Sequence, residues 1–185
     1  MLILLSLVLC AATSQAPQVV NADFETVDAR SATPSGWLFT SLPGQSQLVS
    51  YQSLLEPEAN GSRVLAIRIA ADHPQQQVAY NAHQDLQGFE AGKTYRVSAR
   101  VRTRSLQSLP MVVVQCLDQS TQKPLGFARS EQRELKQDLA EWETIQTVIQ
   151  VPEGTATLRL RIGIPAEGNA GGTALIDDVQ VAEVP

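Results

Sequence analysis

The stretch TALIDDVQVAEV, Thr173 to Val184, sets two carboxylates side by side inside what reads as a β-strand. Strand side chains alternate between faces, so this spacing predicts Leu175, Asp177, Val179 and Val181 on one side and Ile176, Asp178 and Gln180 on the other. Asp177 then lies among Leu and Val, where a carboxylate is costly unless it is paired, hydrogen-bonded or bound to a cation. An Arg, backbone amides or a cation would each serve; Asp178, on the opposite side, is expected to be solvated.

A second set of residues suited to chemistry is basic and amide-bearing. Arg100 and Arg102 alternate with apolar residues along one predicted strand, Arg159 and Arg161 along another, and Gln115, Gln146 and Gln150 along two more. If these strands share a sheet, they form a basic, amide-lined groove. Guanidinium forks match carboxylates bidentately, which makes an acidic polysaccharide a reasonable ligand. The competing expectation is a solvated ladder in which the arginines pair with Glu131, Glu134 or Glu143. In QQQVAYNAHQDL, Tyr80 and Gln84 share one parity and Asn81, His83 and Asp85 the other, and either set could line a loop-edge site. Tyr80 and Gln84 join Arg100, Arg102, Gln115, Arg159 and Arg161 as the ligand-binding candidates.

Catalytic signatures are missing from the sequence: there is no G-x-S-x-G, no H-E-x-x-H, no P-loop and no Cys/His set at zinc spacing. Asp177 and Asp178 point to opposite faces, which forbids the shared cleft of a glycosidase pair. The residue types that jelly-roll lyases use, Tyr, His and Arg, occur at Tyr80, His83 and Arg100, with no spacing that brings them together. A non-catalytic chain is expected.

The elements that must position these residues read as strands throughout. Period-2 alternation predicts strands near Val19–Glu25, Gln47–Gln52, Arg63–Ala70, Gln77–Leu86, Thr94–Thr103, Met111–Asp118, Leu125–Ser130, Glu143–Val151, Ala156–Ile164 and Thr173–Val181, with turn signals such as TPSG, FEAGK, PEGT and EGNAGG between them. Ten short strands at this spacing mean an all-β fold, a two-sheet antiparallel sandwich or jelly roll. Tyr95, Val97, Ala99 and Val101 should face inward, Trp37 and Trp142 should plug the core, and Cys116 should be a buried thiol. SEQRELKQDLAEW, residues 130–142, reads equally as a turn of helix or a polar loop.

Residues 1–16 read as an export signal whose apolar run is too short to span a bilayer, leaving residues 17–185 as one domain of a periplasmic or extracellular protein. A lipid anchor through Cys10 is the lesser alternative, because Leu9 rather than a small residue precedes it. The net charge of −5 over 185 residues argues against nucleic acid, and no second apolar stretch is long enough for a membrane span.

Taken in order, VVNADFE, PSGW, NGSRVLAI, HQDLQGFEAGKTYRVSARVRT, EWETIQTVIQVPEGTATLRLRI and IDDVQV resemble the landmarks of carbohydrate-binding modules of families 4 and 9, within the galactose-binding-domain-like jelly rolls. The resemblance covers essentially all of residues 17–185. It implies non-catalytic binding of a polysaccharide or other glycan through a sheet face. It also implies a structural Ca2+ held between Glu25, the acid of the N-terminal FE, and Asp177, the first Asp of DDV, with Asp23 as a further candidate; calcium takes several oxygens from carboxylates and carbonyls together. The chain departs from such modules in having only 5% aromatic residues, which argues against tight binding of neutral cellulose-like chains. A cell-envelope domain of the same fold with a protein partner is the alternative.

Overall fold

The computed structural model describes residues 17–44, 46–56, 61–74 and 77–185. Residues 1–16, read above as an export signal and containing Cys10, lie outside these. The described residues form ten strands: β1 (Leu38–Phe39), β2 (Val49–Leu55), β3 (Arg63–Ile69), β4 (Ala79–Leu86), β5 (Thr94–Arg104), β6 (Met111–Leu117), β7 (Pro124–Arg129), β8 (Glu143–Gln150), β9 (Thr157–Pro165) and β10 (Thr173–Val184). They pair antiparallel into two five-stranded sheets. Sheet A has the order β1-β4-β9-β6-β7 and sheet B the order β2-β3-β10-β5-β8. This is the expected jelly-roll sandwich.

Alternation builds the core. From sheet A come Tyr80, Ala82 and Leu86, Val112, Val114 and Cys116, and Leu158, Leu160, Ile162 and Ile164; from sheet B come Leu65, Ile67 and Ile69, Tyr95, Val97, Ala99 and Val101, and Ile145 and Ile149, all buried. One apolar face per strand is removed from water, and the two faces interdigitate.

Three expectations change, and the choice left open for residues 130–142 is decided. Val19–Glu25 is not a strand: Asn21 and Phe24 take positive φ, 50° and 56°, and fold the segment into a turn. Asn21 suits that turn because Asn tolerates the left-handed region and its amide serves the loop, donating to the carbonyls of Thr26 (2.8 Å) and Ser35 (2.9 Å) and accepting from Thr26 N–H (2.9 Å). The turn drops Phe24 into the core against Trp37, with ring centroids 5.2 Å apart. Residues 130–142 form a loop without a helix, clipped to its neighbours by the Ser108–Glu134 bridge and by Leu135 N–H donating to Gln107 O. Trp142 lies outside the interlayer core: it covers a small apolar cluster of Val64, Ala66 and Leu175 on the outer side of sheet B.

The third change is the facing of β10. Its pairing with β5 sets Asp177 opposite Arg100 but Gln180 opposite Ser98, so three steps along β10 match two along β5. The extra residue is absorbed at Asp178, whose φ is 47°. Such a bulge inverts parity. Ala174 and Ile176 face the core before it and Val179 after it, whereas Leu175 and Asp177 share the outer side with Arg102 and Arg100.

Gly163 of β9 lies in sheet A where β4 leans close: an added Cβ would meet Tyr80 O and come within 2.6 Å of Asn81 Cα. These are backbone and near-backbone atoms of a paired strand, so the cost cannot be relieved by a rotamer change. Gly163→Ala is expected to lose about 1–3 kcal/mol of stability, read as a lowered melting temperature.

Candidate functional site

The outer side of sheet A carries its polar residues in registered rows. One row runs Leu38, His83, Arg161, Val113 and Arg129 across all five strands; the next runs Asp85, Arg159, Gln115 and Phe127; a third joins Asn81 to Met111 across Gly163. Arg161 sits at the centre, on the middle strand. Its Nε donates to Gln115 Oε1 at 2.9 Å and its Nη1 to Asn81 Oδ1 at 3.1 Å, so strands β6, β9 and β4 are cross-linked by one guanidinium. Arg159 makes a fork-to-fork pair with Asp85, Nε–Oδ1 2.6 Å and Nη2–Oδ2 2.9 Å. That pair holds the Asp85 carboxyl below its ordinary range, chiefly through the hydrogen bond from Arg159. Phe127, 57% exposed on the edge strand, and Leu38, 65% exposed on the other edge, flank the polar rows with apolar surface.

His83 stands in the Arg161 row with its Nδ1 buried and without a hydrogen-bond partner among the described residues. Burial pushes its pKa down from the ordinary 6.5, and the charges of Arg161 and Arg159 push the same way, with Asp85 opposing. The ring is therefore neutral near pH 7.

The structure divides the candidate ligand residues. Arg159, Arg161 and Gln115 share this face. Arg100 and Arg102 lie on the outer side of sheet B, on the far side of the molecule's core, so the single arginine groove expected from the sequence does not form. Tyr80 is wholly buried between the sheets, its hydroxyl 2.9 Å from His73 Nε2. Gln84 is also buried; its amide accepts from Val20 N–H (2.9 Å) and donates to Val20 O (3.0 Å), tying the N-terminal segment to β4. The strand thus presents Asn81, His83 and Asp85, and turns Tyr80 and Gln84 away. Tyr80, His83 and Arg100 sit in the core, on one outer face and on the other, so the lyase-like set is not assembled.

On sheet B the candidate arginines are paired with carboxylates. Arg100 Nη1 pairs with Asp178 Oδ2 at 2.9 Å, and Arg104 Nη2 with the buried Glu56 Oε2 at 2.9 Å, with Arg102 Nη1 3.9 Å from Glu56 Oε1. The guanidiniums of Arg100 and Arg102 lie 5.2 and 5.9 Å from the centroid of the Trp142 ring. Pairing was expected, but with other partners: Glu143 instead takes Arg133, both oxygens at 2.7 Å. Asp178 is therefore paired rather than merely solvated.

Asp177 is buried, and its Oδ1 accepts the N–H of Asp178 at 2.8 Å. Burial raises its pKa to about 6; the Asp178 N–H and Arg100 oppose this, and the charges of Asp178 and Glu25 add to it. Glu25 comes close enough to be felt there and accepts Arg63 N–H at 2.7 Å through Oε1, while exposed Asp23 accepts Glu25 N–H at 3.4 Å. A buried carboxyl with a second carboxylate beside it is a setting that a cation would relieve. Among the described residues no cluster of three or more His, Cys, Asp or Glu side chains could hold a metal, so a calcium there would draw its other oxygens from carbonyls.

No protein-family model matches the chain, and no curated protein sequence matches it. Solved structures share the fold. The chain aligns over 88% of its length with 98% of the CBM22-2 xylan-binding domain from Paenibacillus barcinonensis Xyn10C, at 16% identity and a TM-score of 0.61. It covers 100% of a CBM4 carbohydrate-binding module at 18% identity and a TM-score of 0.57, with 90% of this chain aligned. A cyclase from Fischerella sp. TAU, in complex with an indolyl butanone, is matched over 98% of its chain and 92% of this one at 19% identity and a TM-score of 0.58. Against larger chains the match is partial: it spans 28% of the Clostridium thermocellum xylanase 10B CBM22-1–GH10 chain complexed with xylohexaose, at 15% identity and a TM-score of 0.60.

Because the fold lowers the pKa of His83, this residue contributes stability that is present above about 6.5, its unfolded value, and is lost as pH falls through the lower folded value. The melting temperature should fall more between pH 7 and pH 5 in the native chain than in His83→Gln; parallel curves would show that folding leaves the His83 pKa at its unfolded value.

Proposed function

We propose that the chain binds a polysaccharide without transforming it, through the outer face of sheet A. The observation that carries this reading is the placement of Asn81, Gln115, Arg159 and Arg161 in adjacent rows at the middle of one sheet, cross-linked so that their orientations are set before a ligand arrives. Sugar hydroxyls are both donors and acceptors, and planar amide and guanidinium groups match adjacent hydroxyls in pairs. Preorganisation lowers the ordering cost that long polar side chains would otherwise impose. Phe127, opposite Gln115 in register, supplies an exposed aromatic surface for the C–H side of a ring. The xylan-binding module and the CBM4 module with the same fold support the reading by analogy. An export signal in residues 1–16 would bring this face to extracellular glycans.

The same reading includes a structural calcium at Glu25 and Asp177. Its role would be to offset the like charge of two carboxylates where the N-terminal turn meets β10, and so to hold the ends of the domain together.

Affinity gels containing neutral or acidic polysaccharides test the binding face. Retention by at least one gel is expected, with Gln115→Ala and Asn81→Ala weakening it and Gln146→Ala, on sheet B, leaving it unchanged. Loss of retention in Arg100→Ala or Trp142→Ala alone would move the site to sheet B, and no retention on any gel would favour a protein-interaction domain. For the cation, adding Ca2+ at pH 7.5 should raise the melting temperature and chelator should reverse the rise. Asp177→Asn should melt at the same temperature with either.

A further inference from the structure

Of the four candidate arginines, Arg100, Arg102 and Arg159 each face a carboxylate, as does neighbouring Arg104, and the central one, Arg161, does not. Arg100 has Asp178, Arg102 and Arg104 share Glu56, and Arg159 has Asp85. Arg161 is held by the neutral side-chain oxygens of Gln115 and Asn81, and no carboxylate among the described residues forms an ion pair with it. A guanidinium has five N–H donors in a plane. Those two bonds occupy one donor on Nε and one on Nη1, so the second Nη1 hydrogen and both Nη2 hydrogens have no partner among the described residues, and a guanidinium can offer such donors to a carboxylate.

The surroundings make this charge expensive as it stands. Arg161 is half-buried, in a row whose immediate members are neutral His83 and Val113. Burial works against its proton, and the like charge of Arg159 works the same way, opposed by Asp85. With Arg129 at the end of the row, the face carries three guanidiniums against one carboxylate, in a chain whose net charge is −5. A half-buried cation fixed in place by neutral amides and lacking a counter-ion gains most from an anion that a ligand brings.

We propose that Arg161 is the carboxylate subsite of the sheet A face and that the polysaccharide bound there carries uronic acid residues. This rests on the glycan-binding reading above and narrows it to one ligand class. Asn81 and Gln115 act as positioning residues that aim the fork, and Gly163 permits the close approach of β4 that brings Asn81 to it. The Arg159–Asp85 pair, one row away, keeps a second cation on the face without leaving it open to the ligand.

The test compares retention of the native chain on gels of polygalacturonate, alginate and glucuronoxylan with retention on the same chains after carboxyl reduction. Binding to at least one acidic chain, weakened about tenfold or more by reduction and by Arg161→Gln, supports the subsite. Arg161→Lys, which keeps the charge and loses the fork, should recover only part of the affinity, and Arg96→Gln on sheet B should have no effect; unchanged melting temperatures show that the variants fold. Equal retention on native and reduced chains, with Arg161→Gln as good as native, overturns the carboxylate subsite and leaves glycan binding in place. Failure to bind any chain, acidic, reduced or neutral, overturns both.

Discussion

The extra residue at Asp178 is the constraint on which much of sheet B depends. A strand in the middle of a sheet must match its neighbours on both sides, and β10 lies between β3 and β5. By taking a left-handed conformation, Asp178 shifts the pairing with β5 by one residue, and the second half of β10 turns its other set of side chains inward. Val179 then reaches the core, and its N–H donates to Ala22 O at 3.0 Å, fastening the N-terminal turn to the last strand. Phe24 enters the core from that turn, and Glu25 is brought beside Asp177. Without the bulge, continued alternation would place Val179 and Val181 outside and leave the N-terminal turn without its anchor.

The same bulge explains how one strand can accept two adjacent carboxylates. Asp178 spends its charge on Arg100 at the surface, where such a pair is worth little on its own but sets the position of both groups. Burial raises the Asp177 pKa to about 6, and among the described residues its one hydrogen-bond donor is the backbone N–H of Asp178. The two residues differ because the backbone between them departs from the pleat, so adjacent side chains meet different surroundings.

Across the sandwich, the two outer faces use the same residue types for different ends. Sheet B packs Trp142 on an apolar patch of Val64, Ala66 and Leu175 and closes it with Arg100, Arg102, Glu56 and Asp178, so polar and apolar groups satisfy one another. Sheet A spreads its polar groups in rows, with planar side chains linked edge to edge and apolar surface at both margins. A jelly roll of this kind occurs both in a xylan-binding domain and in a cyclase, so what distinguishes one such protein from another is the chemistry of its exposed faces rather than the strand order beneath them.

Nine of the ten predicted strands, the all-β class and the inward set of β5 were legible in the sequence, because burial of one face writes a period of two that local residue types preserve. The burial of Trp37, Tyr95 and Cys116 followed from the same pattern and from their size or polarity. Alternation could say that Arg100 and Arg102 share a side, and that Arg159 and Arg161 do, but not that β5 and β9 belong to different sheets, since strand order is set by pairings far apart in the chain. The choice between Tyr80 with Gln84 and Asn81 with His83 and Asp85 was likewise settled by which side of β4 meets sheet B. The bulge at Asp178 and the turn at Asn21 and Phe24 left no trace in hydropathy, because a single positive φ changes the facing of every later residue without changing any residue type. The sequence alone therefore determined the strands and their two-sidedness, while tertiary pairing decided which arginine would be left with only amides for partners.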